Sequence, residues 1–400
     1  MTVWTGRQVV VGVSGGIASY KSCILVRRLA EAGARVDVIL TRGAAEFVRP
    51  PTFEALSGRP VLTSLWEEGT SLQHVRLAQQ AELVIIAPAT AHLLARVAQG
   101  LGDDLLTTLL LARSGPVLFA PAMNDEMYAH PATQKNLATL RSRGAHFVGP
   151  ETGALAEGPS DRPGRMSEPE TILLHAGRLL AGRGPLAGKR VLVTAGPTRE
   201  PIDPVRIVSN RSSGRMGYRL AEAAWERGAE VRLVSGPVGQ SPPVGVAVTR
   251  VETTAEMDAA VRAALPDSDV LIMAAAPADY RPSTTSPSKR PRESGSLTLA
   301  LEPTDDILSG TTRLRRPGSI IVGFALETGD AVTKGRAKLA RKQLDLIVVN
   351  DALEPGAGFD VDTNRVVILD RDGGEIEVPL ASKREVAERI LDAVEARLER

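Results

Sequence analysis

Short, continuous apolar runs alternate with amphipathic stretches along the first half of the chain. The runs predict strands at residues 8–13, 35–40, 83–87, 117–120 and 146–148. The amphipathic stretches predict helices at residues 18–32, 103–112 and 169–180. Because the apolar runs do not alternate with polar residues, each strand is expected to be buried on both faces, as in a parallel sheet. The first half therefore predicts a doubly wound α/β domain, with ligands beyond the carboxyl ends of its strands.

The same alternation starts again after residues 182–188, a glycine-rich segment with the composition of a linker. The strands predicted after it are residues 190–193, 246–251, 270–273, 297–301, 320–324 and 346–349. A hairpin at residues 365–378 and a charged helix from Lys383 complete the pattern. We therefore expect two α/β domains with doubly wound, mostly parallel sheets, at residues 1–181 and 189–400.

A long loop at residues 194–217 connects a predicted strand to a predicted helix at residues 218–227. Such connections usually have about 2 to 6 residues, and the prolines of this one fix φ and remove amide donors. Its last part, residues 210–217, combines an amide, guanidiniums, hydroxyls and glycines at a helix start, which is the chemistry of an anion site. A proline-rich surface loop is the alternative, but the density of phosphate-compatible groups favours the anion site.

A second glycine-containing loop, Ser14-Gly15-Gly16, opens the first helix, whose N-terminus can hold a phosphate. The loop is not a complete GxGxxG motif, and the second strand ends at Thr41-Arg42 without the acidic residue that holds an NAD ribose. We therefore predict a mononucleotide site of the flavin type. Gly-Gly turns also precede many ordinary helices, so this motif alone is a weak signal.

Other loops of the first half carry candidate chemistry. Asn124 follows a predicted strand and either holds a carboxylate or caps a helix. His74 is the remaining candidate for proton chemistry, although a lone histidine is more often structural. The histidines do not have the spacing of zinc ligands. Residues 151–167 are rich in glycine and proline and predict a mobile flap over a site.

In the second half, Asp279 lies just beyond a predicted strand and is a candidate ligand for Mg²⁺ or an acceptor for a base edge. Residues 283–296 are polar and basic, and they include Lys289. This segment resembles a loop that becomes ordered on a polyphosphate, and a solvated charged loop is the alternative.

Composition limits the classes of function. The chain has 400 residues and a net charge of +1, which gives no electrostatic case for binding nucleic acid or an acidic membrane. Its single cysteine, Cys23, excludes a disulfide framework within the chain. No secretory signal pattern and no apolar run of membrane-spanning length occur. The single cysteine and the lack of a signal pattern predict a cytoplasmic protein.

The loops together resemble one family, the bifunctional flavoprotein of coenzyme A synthesis. This family fuses phosphopantothenoylcysteine decarboxylase to phosphopantothenate-cysteine ligase. In the first half the resemblance rests on GVSGGIASYK, the surroundings of His74, IIAPATA, GLGDDLL and PAMNDEMY. In the second half it rests on TAGPTREPIDPVRIVSNRSSGRMG, APADYRP, VGFALET and VNDALEPGAGFDVDTN. The resemblance covers essentially the whole chain, and the long loop is its most specific part.

The resemblance implies a flavodoxin-like domain that binds FMN, followed by a Rossmann-like ligase domain that uses CTP and Mg²⁺. The residues that would contact FMN are Ser14, Gly15, Gly16, Ala87, Pro88, Ala89 and Thr90. His74 would lie beside the flavin, and Asn124 would hold the substrate carboxylate. The residues that match functional positions of the ligase are Asn210, Lys289, Arg206, Ser212, Gly214, Asp279 and Phe324, with Asp279 as the metal ligand.

The implied chemistry joins phosphopantothenate to cysteine through an acyl-cytidylate. The flavin then oxidises the cysteinyl thiol to a thioaldehyde, which allows loss of the adjacent carboxylate, and the reduced flavin returns a hydride to the ene-thiol. The family also implies a homo-oligomer with trimeric decarboxylase and dimeric ligase contacts.

Two departures from the family pattern affect this expectation. The flap of the family carries Leu-Ala-Cys-Gly, whose cysteine donates a proton in the final reduction, whereas this chain has Leu155-Ala156-Glu157-Gly158. Glu157 either serves as that acid when desolvated, or the reaction stops at the oxidised ene-thiol, or the domain only binds flavin. The Lys-Ile-Lys-Lys of the family is Lys289-Arg290-Pro291-Arg292 here, which retains the key lysine.

Two functions of other kinds are alternatives to the bifunctional enzyme. An FMN-binding regulatory subunit would bind flavin without turnover, and the intact long loop argues against it. An NAD-dependent oxidoreductase is disfavoured because the acidic residue after the second strand is missing.

Overall fold

The structure is a computed structural model, and it describes residues 3–66, 72–182, 184–289, 298–351 and 361–399. The chain divides into two compact units, Met1–Ala181 and Gly182–Arg400. Each unit has a large sheet of its own.

The first unit is built on six strands that are parallel throughout. The strands are β1 (Gln8–Val13), β2 (Arg35–Leu40), β3 (Val61–Leu62), β4 (Leu83–Ala89), β5 (Val117–Pro121) and β6 (His146–Phe147). The helices are α1 (Ser19–Glu31), α2 (Pro50–Ser57), α3 (Gln73–Gln80), α4 (Ala91–Gln99), α5 (Leu105–Leu111), α6 (Asp125–Ala129), α7 (Pro131–Ser142) and α8 (Pro169–Ala181).

Alternate residues of the central strand β1 enter two different hydrophobic clusters. Val9 and Val11 belong to one cluster, and Val10 belongs to the other. Because successive side chains of a strand point to opposite faces, helices cover both faces of this sheet. Burial on both faces explains why these strands are continuous apolar runs in the sequence.

The strand order of the first sheet is β3-β2-β1-β4-β5-β6. The chain first builds outward from β1 in one direction and then in the other, so the order reverses between β1 and β4. The loops that leave β1 and β4 diverge at this switch point, and ligands of doubly wound sheets bind in the crevice formed there.

The second unit repeats this plan and adds an antiparallel edge. Its strands are β7 (Arg190–Ala195), β8 (Arg199–Pro201), β9 (Ile207–Ser209), β10 (Glu230–Ser235), β11 (Ala247–Arg250), β12 (Val270–Met273), β13 (Tyr280–Pro282), β14 (Leu301–Pro303), β15 (Ile320–Glu327), β16 (Leu346–Asp351), β17 (Thr363–Asp370) and β18 (Glu375–Ser382). Its helices are α9 (Arg215–Glu226), α10 (Thr254–Ala264), α11 (Ile307–Gly310), α12 (Ala331–Arg341) and α13 (Lys383–Leu398).

The large sheet of this unit has the order β11-β10-β7-β12-β15-β16-β17-β18. Its pairs are parallel from β11 to β16, and the hairpin of β17 and β18 joins them antiparallel. The order reverses between β7 and β12, which gives this unit a switch point of its own. The prediction of two doubly wound, mostly parallel α/β folds is confirmed.

Two local predictions differ from the structure. The strand predicted at residues 297–301 is wrong: the strand is Leu301–Pro303, because these residues pair with Tyr280–Pro282. Residues 290–297, which include half of the predicted polyphosphate loop, lie outside the described residues. The long loop contains the antiparallel hairpin of β8 and β9, which the prolines of that segment did not suggest.

Within the part of the chain that the structure describes, every helix is too short or too polar to cross a membrane.

Candidate active sites

The first unit has a cavity of about 780 Å³ at its switch point, a volume in the ordinary range for cofactor sites. The predicted residues that line it are Ser14, Gly15, Gly16, Thr90, Asn124 and Glu157. These residues come from the loops after β1, β4 and β5 and from the flap. The structure therefore brings together side chains that are far apart in sequence.

Ser14 joins the two strands that flank the switch point. Its hydroxyl donates to the backbone oxygen of Pro88 at 2.7 Å and accepts from the backbone N–H of Thr90 at 3.1 Å. Ser14 is only 2% exposed. Its side chain is thus committed to holding the two loops together at the floor of the cavity.

Gly15 lies where the loop after β1 touches the loop after β2. A Cβ atom on Gly15 would lie 2.7 Å from the carbonyl carbon of Gly43, which is closer than real Cβ contacts allow. The backbone N–H groups of Gly15, Gly16 and Ile17 make no hydrogen bond within the described chain. These donors stand at the start of α1, where the helix dipole favours an anion.

Three of the four residues predicted for the loop after β4 lie within the strand itself. Ala87, Pro88 and Ala89 are buried within β4 and do not line the cavity. Thr90 follows them and caps α4, since its hydroxyl accepts from the N–H of Leu93. Only the last of the four predicted positions therefore faces the cavity.

Asn124 caps a helix, which is one of the two roles that its sequence position allowed. Its side-chain oxygen accepts from the N–H of Glu126 at 2.9 Å and caps α6. Its Nδ2 group lies 3.5 Å from a carboxylate oxygen of Glu157. Because the side-chain oxygen caps α6, only the N–H groups of the amide remain to bind a carboxylate. In this structure they face the carboxylate of Glu157.

The flap ends in a tight turn over the cavity. Leu155 and Gly158 pair through two backbone hydrogen bonds of 2.8 and 3.2 Å, so Ala156 and Glu157 form the tip. Both tip residues are exposed.

Contacts with α6 hold the flap in position. Ser160 donates to Asp125 at 2.6 Å, and Arg162 forms an ion pair with Glu126. The hydrogen bond from Ser160 is the main cause that lowers the pKa of Asp125. This carboxylate is therefore ionised, and able to accept that bond, at neutral pH.

Lys21 is a cavity residue that the sequence analysis missed. It is 5% exposed, donates to the backbone oxygen of Met166 at 2.8 Å and pairs with Glu168 at 3.1 Å. It thereby ties α1 to the base of the flap. The signal in the sequence was a lysine at a position of α1 that lies on its buried face.

His74 lies in the first turn of α3 and does not line the cavity. Its Nδ1 atom is buried and makes no hydrogen bond within the described chain. The structure therefore leaves this histidine with an unused polar atom, and does not bring it together with Asn124.

The second unit has a cavity of about 500 Å³ beyond the carboxyl ends of β12, β15 and β16. The predicted residues that line it are Asn210, Ser212, Gly214, Asp279 and Phe324. Gly214 caps α9 with φ +72°, and a Cβ there would also lie 2.8 Å from Val238. The long loop thus reaches the helix start through a position that favours glycine.

Asn210 holds the long loop against the loop after β12. Its Nδ2 group donates to the backbone oxygens of Pro277 at 2.9 Å and Ala276 at 3.2 Å. Both of its N–H groups are therefore engaged by carbonyl groups. A substrate carboxylate would have to replace one of these acceptors.

Two further predicted residues do not line this cavity. Arg206 lies at the turn between β8 and β9 and pairs with Asp203 at 3.2 Å. Asp203 is 1% exposed and also accepts from the backbone N–H of Arg206 at 2.8 Å. Lys289 is exposed and is the last residue before an undescribed segment.

Lysines that the sequence analysis did not select line this second cavity. Lys338 and Lys342 are spaced four residues apart on or just after α12, so they lie on one face. Lys342 pairs with Asp306 at 3.0 Å. Burial raises the pKa of Asp306, but the hydrogen bonds from Lys342 and Ser309 outweigh it, and the net pKa is lowered. The spacing of the lysines was a signal that could have identified them.

The described residues of the two cavities do not form a complete metal centre. Among the residues that the structure describes, no group of three or more His, Cys, Asp or Glu side chains is arranged to hold an ion. Mg²⁺ that is shared with nucleotide phosphates needs only one or two carboxylates. Asp279 is compatible with that kind of site.

The sheet orders and the cavities at the switch points define a protein of two doubly wound α/β units, each with a cavity beyond the carboxyl ends of its parallel strands. Residues 3–177 match the family described as Flavoprotein. Residues 186–398 match the DNA/pantothenate metabolism flavoprotein C-terminal domain. The chain belongs to the family of bifunctional coenzyme A biosynthesis proteins, which confirms the resemblance found in the motifs.

Two full-length relatives illustrate this membership. The coenzyme A biosynthesis bifunctional protein CoaBC of Mycobacterium tuberculosis is 49% identical over 403 residues, covering 97% of this chain and 96% of the relative. The protein of the same name from Bacillus subtilis is 46% identical over 395 residues, covering 98% of this chain and 97% of the relative.

A solved structure of the C-terminal domain of CoaBC is 41% identical. It covers 54% of this chain and 98% of that structure, with a TM-score of 0.47.

Proposed function

We propose that the second unit joins 4′-phosphopantothenate to cysteine at the expense of CTP, and that the first unit decarboxylates the product with bound FMN. The observation that carries the ligase half is the convergence of five predicted residues on one cavity. Lys338 and Lys342 also line that cavity, and they would bind a polyphosphate by exchanging their present partners, Glu327 and Asp306, for it. Membership of the family supports both halves.

In the ligase reaction, a carboxylate oxygen of phosphopantothenate attacks the α-phosphorus of CTP, and pyrophosphate leaves. The amine of cysteine then attacks the acyl carbon of the cytidylate, and CMP leaves. Asp279 would hold Mg²⁺ against the phosphates, while the lysines would neutralise the polyphosphate. Ser212 and Gly214 at the start of α9 would offer further donors. Phe324 offers an apolar wall to the same cavity.

Asn210 would orient the substrate carboxylate after exchanging one of its bonds to Pro277 or Ala276 for it. Arg206 and Lys289 are proposed to act on the same substrates, although both are outside the cavity lining. Residues 290–297 follow Lys289 directly in the chain.

In the first unit, a bound flavin would supply the two-electron oxidation of the substrate thiol and the later return of a hydride. The free N–H groups of Gly15 and Gly16 fit the phosphate of FMN, and the volume of the cavity fits its ring system. Asn124 would hold the substrate carboxylate through its Nδ2 group until that carboxylate leaves as CO₂. His74 is proposed as the histidine beside the flavin.

Glu157 decides how far the decarboxylase reaction proceeds. Its position at the flap tip, within reach of Asn124, supports a role as the acid that protonates the ene-thiol when the flap closes. If the exposed carboxylate stays ionised instead, the reaction stops at the oxidised ene-thiol. This second outcome is a separate candidate because Glu157 stands where the family has cysteine.

The test is the mass of the product formed without oxygen from phosphopantothenate, cysteine, CTP and Mg²⁺. We expect release of CMP and formation of phosphopantetheine. A product two hydrogens lighter would show that Glu157 does not complete the reduction. Absence of CMP would refute the ligase proposal, and use of ATP in place of CTP would refute the nucleotide assignment.

We also propose a homo-oligomer with trimeric contacts between first units and dimeric contacts between second units. The hairpin of β8 and β9 contacts strand β13, which pairs with β14, and apolar side chains on these elements are exposed. They are Val205, Ile207, Tyr280 and Leu301. On α1 of the first unit, Tyr20 and Ile24 are exposed in the same way. Light scattering of the full chain tests this proposal, and a monomer would refute it.

A further inference from the structure

Arg42 differs from the other Lys and Arg side chains that line the first cavity in its lack of a counter-charge among the described residues. The lining includes Lys21, Arg42, Arg96 and Arg165. Lys21 and Arg165 both pair with Glu168. Arg42 makes no hydrogen bond or ion pair within the described chain. It therefore remains available to an anion in the cavity.

Arg96 is neutralised in the same way as Lys21 and Arg165. It pairs with Asp104 at 2.8 Å and also with Asp103. The hydrogen bond from Arg96 holds the pKa of Asp103 below its ordinary value, so this carboxylate stays charged at neutral pH. Three of the four cations thus have protein counter-charges, and the positive charge of Arg42 does not.

The backbone places Arg42 next to the loop that precedes α1. The preceding residue, Thr41, accepts hydrogen bonds from the N–H of Ala44 through its backbone oxygen at 2.9 Å and its hydroxyl at 3.2 Å. The next residue, Gly43, is in contact with Gly15. Arg42 therefore lies between a hydrogen-bonded turn and the loop of Gly15, Gly16 and Ile17, which lines the cavity.

We propose that Arg42 binds the phosphate of FMN and sets the preference of this site for FMN over riboflavin. The inference rests on the proposed flavin site of the first unit. A phosphate monoester carries close to two negative charges at neutral pH, and a guanidinium can bind it through two parallel hydrogen bonds. The N–H groups of Gly15, Gly16 and Ile17 give directional bonds, and Arg42 adds the formal charge that they lack.

The experiment compares flavin binding by the full-length protein and its R42Q variant. The flavin is first removed, and the dissociation constants of FMN and riboflavin are then measured by quenching of flavin fluorescence. We expect R42Q to bind FMN about tenfold or more weakly, as for loss of one hydrogen bond to a charged group, and to bind riboflavin as the parent does. R42K should recover part of the FMN affinity, because it restores the charge without the fork.

Arg49→Gln is the matched control. Arg49 lies in the same connection between β2 and α2, is exposed, and does not line the cavity. It also makes no hydrogen bond or ion pair through its side chain within the described chain. Its replacement removes one positive charge from this segment and should leave both dissociation constants unchanged.

Several results would overturn the proposal. FMN affinity that is unchanged in R42Q would show that Arg42 does not contact the phosphate. Equal weakening for both flavins would show that it acts on the ring or on the fold. Unchanged FMN affinity with a higher KM for the decarboxylase substrate would assign Arg42 to the phosphate of that substrate. A parent protein that binds neither flavin would instead refute the proposed function of the first unit.

Discussion

Replacing Asn210 with aspartate tests whether the long loop is held in place by its amide. The change keeps the size of the side chain but removes both N–H donors. The two lost hydrogen bonds, of 2.9 Å to Pro277 and 3.2 Å to Ala276, end on carbonyl oxygens that a carboxylate would repel. Because the site is solvent-exposed, we assign each bond about 0.5–1.5 kcal/mol. The total is therefore about 1–3 kcal/mol.

This free energy corresponds to a loss of about 5- to 150-fold in kcat/KM of the ligase reaction. The assay follows CMP release with phosphopantothenate, cysteine, CTP and Mg²⁺. Asn210→Ala removes the donors without adding charge, and we expect it to lie between the parent and N210D. The flavin content of the first unit is an internal control and should not change. A fully active N210D protein would refute the reasoning.

Three further variants test other parts of the structure. Gly15→Ala should lower the flavin bound per chain, because its Cβ would lie 2.7 Å from the Gly43 backbone; full flavin content would contradict this account. Glu200→Ala should lower the free energy of unfolding of the second unit by about 1–3 kcal/mol. The buried carboxylate accepts from both the N–H and the hydroxyl of Thr254 at 2.8 Å, and urea unfolding with unchanged stability would refute the estimate. The pKa of Asp306 is lowered in the folded protein. Its contribution to the free energy of unfolding is therefore complete above the pKa of the unfolded chain, about 3.9. That contribution is lost as the pH falls through the lower pKa of the folded protein. Asp306→Asn should remove that part of the acid dependence of unfolding, and identical pH profiles for the two proteins would contradict it.

The sequence predicted the central sheets well because their strands are buried on both faces. The bounds of Gln8–Val13 and Val270–Met273 coincide with the predicted ranges. The short edge strand Val61–Leu62 was missed, since two residues give no readable pattern. The hairpin of β8 and β9 was missed for another reason. Its Pro201 argues against a strand in sequence, but it lies in a separate two-stranded sheet where a missing amide is tolerated.

The candidate sites were predictable where a loop follows a strand. Ser14 and Asn124 belong to such loops, and both face the cavity of the first unit. Lys21 and Lys342 come instead from or beside helices, and their place depends on how those helices pack. Arg206 also belongs to a loop, but its side chain pairs with Asp203 and does not line the cavity, because the sequence around it says nothing about the direction of its side chain.

The flap tip has an evolutionary consequence. The turn between Leu155 and Gly158 is closed by backbone hydrogen bonds, and the side chains of Ala156 and Glu157 take no part in them. Exchanges at such exposed positions usually change the free energy of unfolding by no more than about 0.5 kcal/mol. Selection on folding is therefore weak at the residue that would donate the last proton. A lineage can replace a thiol with a carboxylate there and inherit the rest of the enzyme intact.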